Sequence, residues 1–217
     1  MAGWQIDRYG MSSPEQPEVI KLVDYKPPKF FITAIELEFN IDEEFTIVTS
    51  RLSCSRNSLI YKGNEPLILN GEDQTLLSLK HGSEQIGSSK YYLSEKLLTI
   101  PDVGSNFELE IITKIFPHKN RALEGLYLSD GMYCTQCEAE GFRRITFFPD
   151  RPDILSLFKT KIIANKISYP TLLSNGHLID YGDLDEGRHF VTWEDPFPKP
   201  SYLFALVAGN LACCLLY

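Results

Sequence analysis

Within residues 32–42, ITAIELEFNID, the last eight alternate: Ile35, Leu37, Phe39 and Ile41 fall on one side, Glu36, Glu38, Asn40 and Asp42 on the other. A period of two turns one face to a core and the other to water, which predicts a half-buried strand. Asp42-Glu43-Glu44 reads as a turn into 45–52, FTIVTSRL, a run rich in β-branched residues. The two segments predict a hairpin. Residues 65–69 end at Asn70-Gly71, a turn dipeptide, and a strand pattern resumes over 75–80. Short strands are predicted over 90–93 and 96–100. Residues 107–116 place Phe107, Leu109 and Ile111 on one face and stop at Pro117. Further strands are predicted over 145–148, 161–167, 189–193 and 201–208, with Asn175-Gly176 as a hairpin turn between two of them.

Helix signals are few. Asp150 as N-cap and Pro152 in the first turn predict one short helix over 152–158, and 120–126 has room for another turn or two. Many short strands with turn signals every 8–12 residues predict an all-β, antiparallel fold, a sandwich or saddle-like sheet with one or two short helices. Neither repeats nor low-complexity tracts interrupt it. The expected organisation is an N-terminal arm over 1–24, a β domain over 25–212, and an apolar tail over 213–217.

The chain has 217 residues and a net charge of −8. An acidic balance excludes a general binder of nucleic-acid backbones, which needs surplus Lys and Arg. The first residues have neither the basic nor the apolar region of a secretory signal, and five cysteines cannot all pair within one chain. Both point to a reducing, cytoplasmic setting with free thiols. The most apolar stretch, 202–217, is interrupted by Gly209 and Asn210 and is shorter than the roughly 18–20 residues a membrane helix needs. It reads as a buried strand, and no membrane partner is expected.

Candidate chemistry centres on YCTQCEAEGFRR, residues 133–144. Cys134 and Cys137 have C-x-x-C spacing, but a structural zinc site needs four ligands, and Cys54, Cys213, Cys214 and the four scattered histidines do not supply a second pair at zinc-site spacing. No strand–helix setting for a redox pair surrounds them either. Buried, inert thiols are expected. Nucleophile elbows, phosphate-binding loops and H-E-x-x-H are absent from these 217 residues, so no catalytic residue is assigned. Gln136 and Glu138 are two apart, so an extended backbone points both to one side. A carboxylate with a neighbouring amide acceptor can bind a primary ammonium group. A solvated strand edge is the other reading, and the spacing alone leaves both open.

Five stretches in order carry a resemblance: YKPPKFFITAIELEFNID (25–42), LNGEDQTLLSL (69–79), ALEGLYLSDGMYCTQCEAEGFRRITFFPDRPDIL (122–155), KTKIIANKISYPTLLSNG (159–176) and WEDPFPKPSYLFALVAG (193–209). Across residues 20–212 the sequence resembles the N-terminal domain of the M1 family of zinc aminopeptidases, in its bacterial aminopeptidase N branch. The resemblance implies a β-rich saddle packed on a thermolysin-like catalytic domain. It implies that Glu138 helps hold the free α-amino group of a peptide substrate and that Gln136 lines the pocket for the first side chain. In the family, zinc is bound in the catalytic domain by the histidines of H-E-x-x-H and a distal glutamate.

None of those ligands is in this sequence, which ends at Cys213-Cys214-Leu215-Leu216-Tyr217, where the family crosses into the catalytic domain. The expectation is a truncated product with no cofactor of its own, inactive alone and working only with a catalytic domain in cis or trans. Its uncovered interface is expected to promote self-association. The alternative is a non-catalytic β-rich interaction module.

Overall fold

The computed structural model describes residues 21–212 and Cys214. In chain order its strands are β1 (Phe30–Ile41), β2 (Thr46–Arg56), β3 (Leu67–Asn70), β4 (Thr75–His81), β5 (Glu84–Gln85), β6 (Tyr92–Leu93), β7 (Leu97–Ile100) and β8 (Asn106–Ile115). There follow β9 (Gly125–Ser129), β10 (Met132–Gln136), β11 (Ser156–Asn165), β12 (Thr171–Ser174), β13 (His177–Asp183), β14 (Arg188–Lys199) and β15 (Leu206–Gly209). They build an eight-stranded sheet ordered β13-β14-β11-β1-β2-β8-β4-β5, a four-stranded sheet ordered β12-β15-β10-β9, and a three-stranded sheet ordered β3-β7-β6.

The predicted hairpin forms the middle of the large sheet, with Phe39 opposite Val48 and Ile35 opposite Leu52. Ile35, Leu37, Phe39 and Ile41 are buried, as the alternation requires. A β-bulge between Ile32 and Ala34 shifts the parity, which is how Ile32 and Ile35, three apart, both reach the core. On the opposite face one register row crosses five strands: Lys159, Glu36, Arg51, Glu110 and Lys80 stand side by side. The signs alternate along this row. Glu110 joins Arg51 and Lys80, each at 2.9 Å. The wet face is therefore matched in charge across the sheet.

The core lies between the apolar face of the large sheet and a second layer made of the four-stranded sheet and residues 142–149. Phe142 is its centre, packing edge-on against Phe148, Phe158 and Phe204 at centroid distances of 5.2, 5.9 and 5.3 Å. Phe204 in turn stacks on Phe39 of β1. Polar groups facing this core are satisfied across the layers: the Ser50 and Thr146 hydroxyls share a 2.8 Å bond, and Thr113 donates to the Ile145 carbonyl at 3.2 Å.

The all-β class stands, and several local expectations need correction. Pairing is not wholly antiparallel: β1 and β11 run parallel, with Phe39 beside Ile162. The helix over 152–158 is absent. Ile154, Ser156 and Phe158 are buried while Leu155 and Leu157 are exposed, a period of two, and pairing of β11 with β1 and β14 overrides the local capping signal. The strand over 145–148 is instead a loop after the 3-10 turn Phe142–Arg144, with one bridge from Phe148 to Asn70. Asn175-Gly176 does not close a hairpin; it carries the chain from β12 in one sheet to β13 in another. Residues 201–208 divide into a 3-10 turn, Ser201–Leu203, and β15. The loop 120–126 is organised by Asn120, whose Oδ1 accepts from the amides of Ala122 and Leu123. Most of the expected arm over 1–24 and tail over 213–217 lies outside the described residues.

Candidate functional site

The segment that bears Gln136 and Glu138 starts at a β9–β10 hairpin. Its two-residue turn, Asp130-Gly131, has φ of 48° and 76°, the double left-handed geometry that suits the twist of the flanking strands. Strand β10 is flanked by β9 on one side and β15 on the other. Tyr133 plugs it into the core: the ring is buried and the hydroxyl donates to the Asp42 carbonyl at 3.2 Å. Backbone pairing with β15 ends at Cys134. There the Thr135 hydroxyl takes over, accepting from the Leu206 amide at 2.8 Å. Gln136 is therefore paired on the β9 side only, opposite Gly125, and lies past the end of the pairing with β15.

After Gln136 the chain turns sharply. The Gly141 amide donates to the Cys137 carbonyl at 2.9 Å, closing a turn that presents Glu138, Ala139 and Glu140 to solvent. A side chain at position 141 has no room: a Cβ there would stand 2.3 Å from the Gln136 carbonyl oxygen. Gly125, at φ +72°, lies against the same place, with its would-be Cβ 2.8 Å from that of Arg144. Three backbone segments thus meet closely under the turn.

Gln136 and Glu138 are both exposed and Cys137 between them is buried; Gln136 ends β10 and Glu138 stands in the turn after it, so the extended-strand spacing argument does not reach Glu138. The Gln136 amide nitrogen donates to the Glu138 carbonyl at 3.2 Å, and its own side-chain oxygen, unbonded among the described residues, can accept a bond. Among the described residues Glu138 forms no ion pair, whereas Glu140 pairs with Arg143 at 3.0 Å. One anionic group in the turn is free and its neighbour is held. A cleft of about 500 Å³ is lined by Tyr61, Asn70, Glu140, Arg143 and Arg151 among others; neither Gln136 nor Glu138 lines it.

The cysteines part company. Three apart on an extended backbone, they face opposite ways. Cys137 points into the core, where burial, with a smaller effect from the Asp150 charge, pushes its thiol far above the ordinary range. Cys134 is half-buried near Tyr127. Cys54 is also buried and pushed up to about 12. Among the described residues no three His, Cys, Asp or Glu side chains are grouped to hold a metal. Among the described residues, Cys134 and Cys137, facing opposite ways, are not arranged to share one zinc ion. No described helix is long and apolar enough to cross a membrane.

Two features of this site are not among the sequence expectations. The β9–β10 hairpin has a signal, Asp130-Gly131 following Leu126 and Leu128. The polar frame around Arg143 and Arg144 has no local signal, because its partners come from separate segments of the chain. Arg144 meets Glu72 and Glu124 at 3.1 Å each, and also Asp73. Arg143 meets the buried Asp150.

Known proteins share this sequence and fold. Aminopeptidase N of Escherichia coli (strain K12) is 49% identical over 196 residues, covering 90% of this chain and 22% of that protein. Aminopeptidase N of Caulobacter vibrioides is 47% identical over 197 residues, again covering 22% of the relative. This chain therefore spans less than a quarter of the length of the curated relatives it matches. Among solved structures, Legionella pneumophila aminopeptidase A in complex with aspartic acid superposes with a TM-score of 0.85 at 39% identity, over 89% of this chain and 23% of that one. An M1 zinc metallopeptidase from Deinococcus radiodurans shares the fold at 13% identity, with a TM-score of 0.71 over 83% of this chain and 42% of its own. Residues 35–203 match the peptidase M1 N-terminal domain, and the chain belongs to that family.

Proposed function

We propose that this chain is the part of a zinc aminopeptidase that recognises the amino terminus of a peptide, acting only when joined to, or bound by, an M1 catalytic domain. The observation that carries the reading is the exposed Glu138 carboxylate, without an ion pair among the described residues, in the turn whose Glu138 carbonyl the Gln136 amide bonds at the end of β10. An exopeptidase must tell a terminal ammonium from an internal amide. A carboxylate serves that discrimination in two ways. It gives the ammonium a charge-assisted bond, and it penalises a peptide that brings no cation. Gln136 supplies a second, oriented acceptor and a polar wall for the first side chain. Zinc, held by the catalytic domain, would polarise the scissile carbonyl; the groups described here bind and orient. The proposed unit is residues 25–212, in a reducing, cytoplasmic setting that suits its free thiols.

The test joins residues 25–212 to the remainder of the Escherichia coli relative and follows hydrolysis of an aminoacyl anilide. Glu138→Ala is expected to lower kcat/KM roughly 10- to 150-fold, the worth of a lost bond to a charged group. Gln136→Ala should cost less and shift preference among first side chains. The isolated 217-residue chain should show no chelator-sensitive cleavage. Activity of the isolated chain, or a silent Glu138→Ala in the joined enzyme, would overturn the reading; the second result would leave an interaction module.

A further inference from the structure

We propose that Arg143 and Asp150 are positioning residues: a buried ion pair that sets the stance of the 136–141 turn and leaves Glu138 as its free carboxylate. The inference rests on the reading of Glu138 and Gln136 as substrate contacts. Asp150 has a side chain 1% exposed, and both of its carboxylate oxygens are bonded. One oxygen accepts from the Arg143 amide at 3.2 Å and from Arg143 Nε at 3.1 Å; the other accepts from the Ser201 hydroxyl at 2.5 Å. Arg143 Nη2 also donates to the Asp150 carbonyl at 3.2 Å, and the Asp150 amide donates to Asn70 Oδ1 at 3.2 Å. The Arg143 carbonyl is fixed in turn by the Glu72 amide at 3.0 Å and Gln74 Nε2 at 2.9 Å.

Holding the layers together does not require this arrangement. A well-packed apolar pair of similar volume would do that as well or better. Directional bonds add something apolar contact cannot, a single orientation for the backbone they hold. That orientation is delivered to the turn closed by Gly141, two residues before Arg143. The remaining Arg143 nitrogen, Nη1, pairs with Glu140 at 3.0 Å. Arg143 thereby holds one of the two exposed carboxylates of the turn and leaves the other unpaired. An ammonium arriving at the turn meets one free anion in one place.

Hydrogen–deuterium exchange on the 217-residue chain tests the structural half. Asp150→Asn is expected to speed exchange of amides 138–142 about tenfold or more, while β1, β2, β8 and β11 change by less than about twofold. The triple change Arg143→Met, Asp150→Leu and Ser201→Ala, which leaves only the Arg143 amide without its acceptor, should lower the melting temperature by no more than about 6 °C and still loosen the turn. Equal changes in turn and sheet, an unchanged turn, or loss of the fold in both variants would overturn the proposal. The functional half uses the joined enzyme. Asp150→Asn should raise KM for an aminoacyl anilide about tenfold with kcat within about twofold, and should add nothing to Glu138→Ala. Additive losses would overturn it. A silent Glu138→Ala would defeat the substrate-contact reading, and with it the role given to the pair in leaving that carboxylate free; exchange would then report only whether the pair holds the turn.

Discussion

The large sheet and the 136–150 turn solve the same problem, holding a backbone still, by opposite means. The sheet repeats one rule: apolar in, charged out, strand after strand. Its wet face carries alternating charges in a row from Lys159 to Lys80, and no single contact there decides the fold. The turn repeats nothing. It depends on a glycine with no room for a Cβ, a threonine hydroxyl in place of a backbone partner, and two adjacent arginines aimed in different directions. A repetitive structure spreads its stability and tolerates change. A bespoke one concentrates it, and gives one side chain a defined place in return.

The largest expected effect strikes both regions together. Phe142 is fully buried between turn and sheet, so Phe142→Ala should destabilise the chain by about 3–5 kcal/mol in urea unfolding. A much smaller loss would show that the two layers are not packed through this ring. Next, Gly141→Ala drives a methyl into the Gln136 carbonyl, and about 1–3 kcal/mol is expected. If turn and sheet are held independently, that damage stays local: amides 136–142 should exchange faster, with β1 and β2 protected as before.

Acid should act on the polar supports and spare the aromatic core. Glu110 is held below its ordinary 4.5 by the hydrogen bond from Lys80 and then by Arg51, against burial. Asp153 is held below its ordinary 3.8 by Arg151, with help from Tyr25. Both carboxyls have folded values below their unfolded ones. Their stabilisation is therefore complete above the unfolded values and is lost as pH falls through the folded values. Tm should be flat down to about pH 4.5 and decline below it. Glu110→Gln should flatten the first part of that decline. The smallest effect is reserved for the residue given the central role. Glu138→Ala should change stability by no more than about 0.5 kcal/mol, because the side chain is exposed and unpaired. A large loss would mean that Glu138 serves the fold.

The same contrast explains what is legible in the sequence. Strands β1, β2 and β8 are legible because burial on one face writes a period of two into the chain. Asn70-Gly71 and Asn175-Gly176 are legible as turns but not in what they join. Gly176, at φ +92°, must be a glycine, yet nothing in that requirement says whether the next strand pairs with the last or moves to another sheet. Gly71 is needed for another reason, since its Cβ would strike the Phe147 ring at 2.3 Å. Asp150 has the sequence context of a helix cap, and its carboxylate is committed to Arg143 and Ser201 instead. Gln136 and Glu138 are picked out by a spacing that assumes an extended backbone, which ends at Gln136. Their significance comes from the resemblance, and the frame that holds them comes only from the three-dimensional arrangement.

The parallel pairing of β1 with β11 carries a consequence for the making of the protein. β1 emerges early in synthesis and can form its hairpin with β2 at once, but its other edge waits for β11, with Ala34 partnered by Leu157. Until then a twelve-residue strand presents unpaired amides and carbonyls beside Ile35, Leu37 and Phe39. Closing that edge is a contact between distant parts of the chain, the kind that slows folding and invites association between unfinished copies. The nascent chain is thus most exposed to aggregation while the ribosome is still building the segment that completes the centre of its sheet.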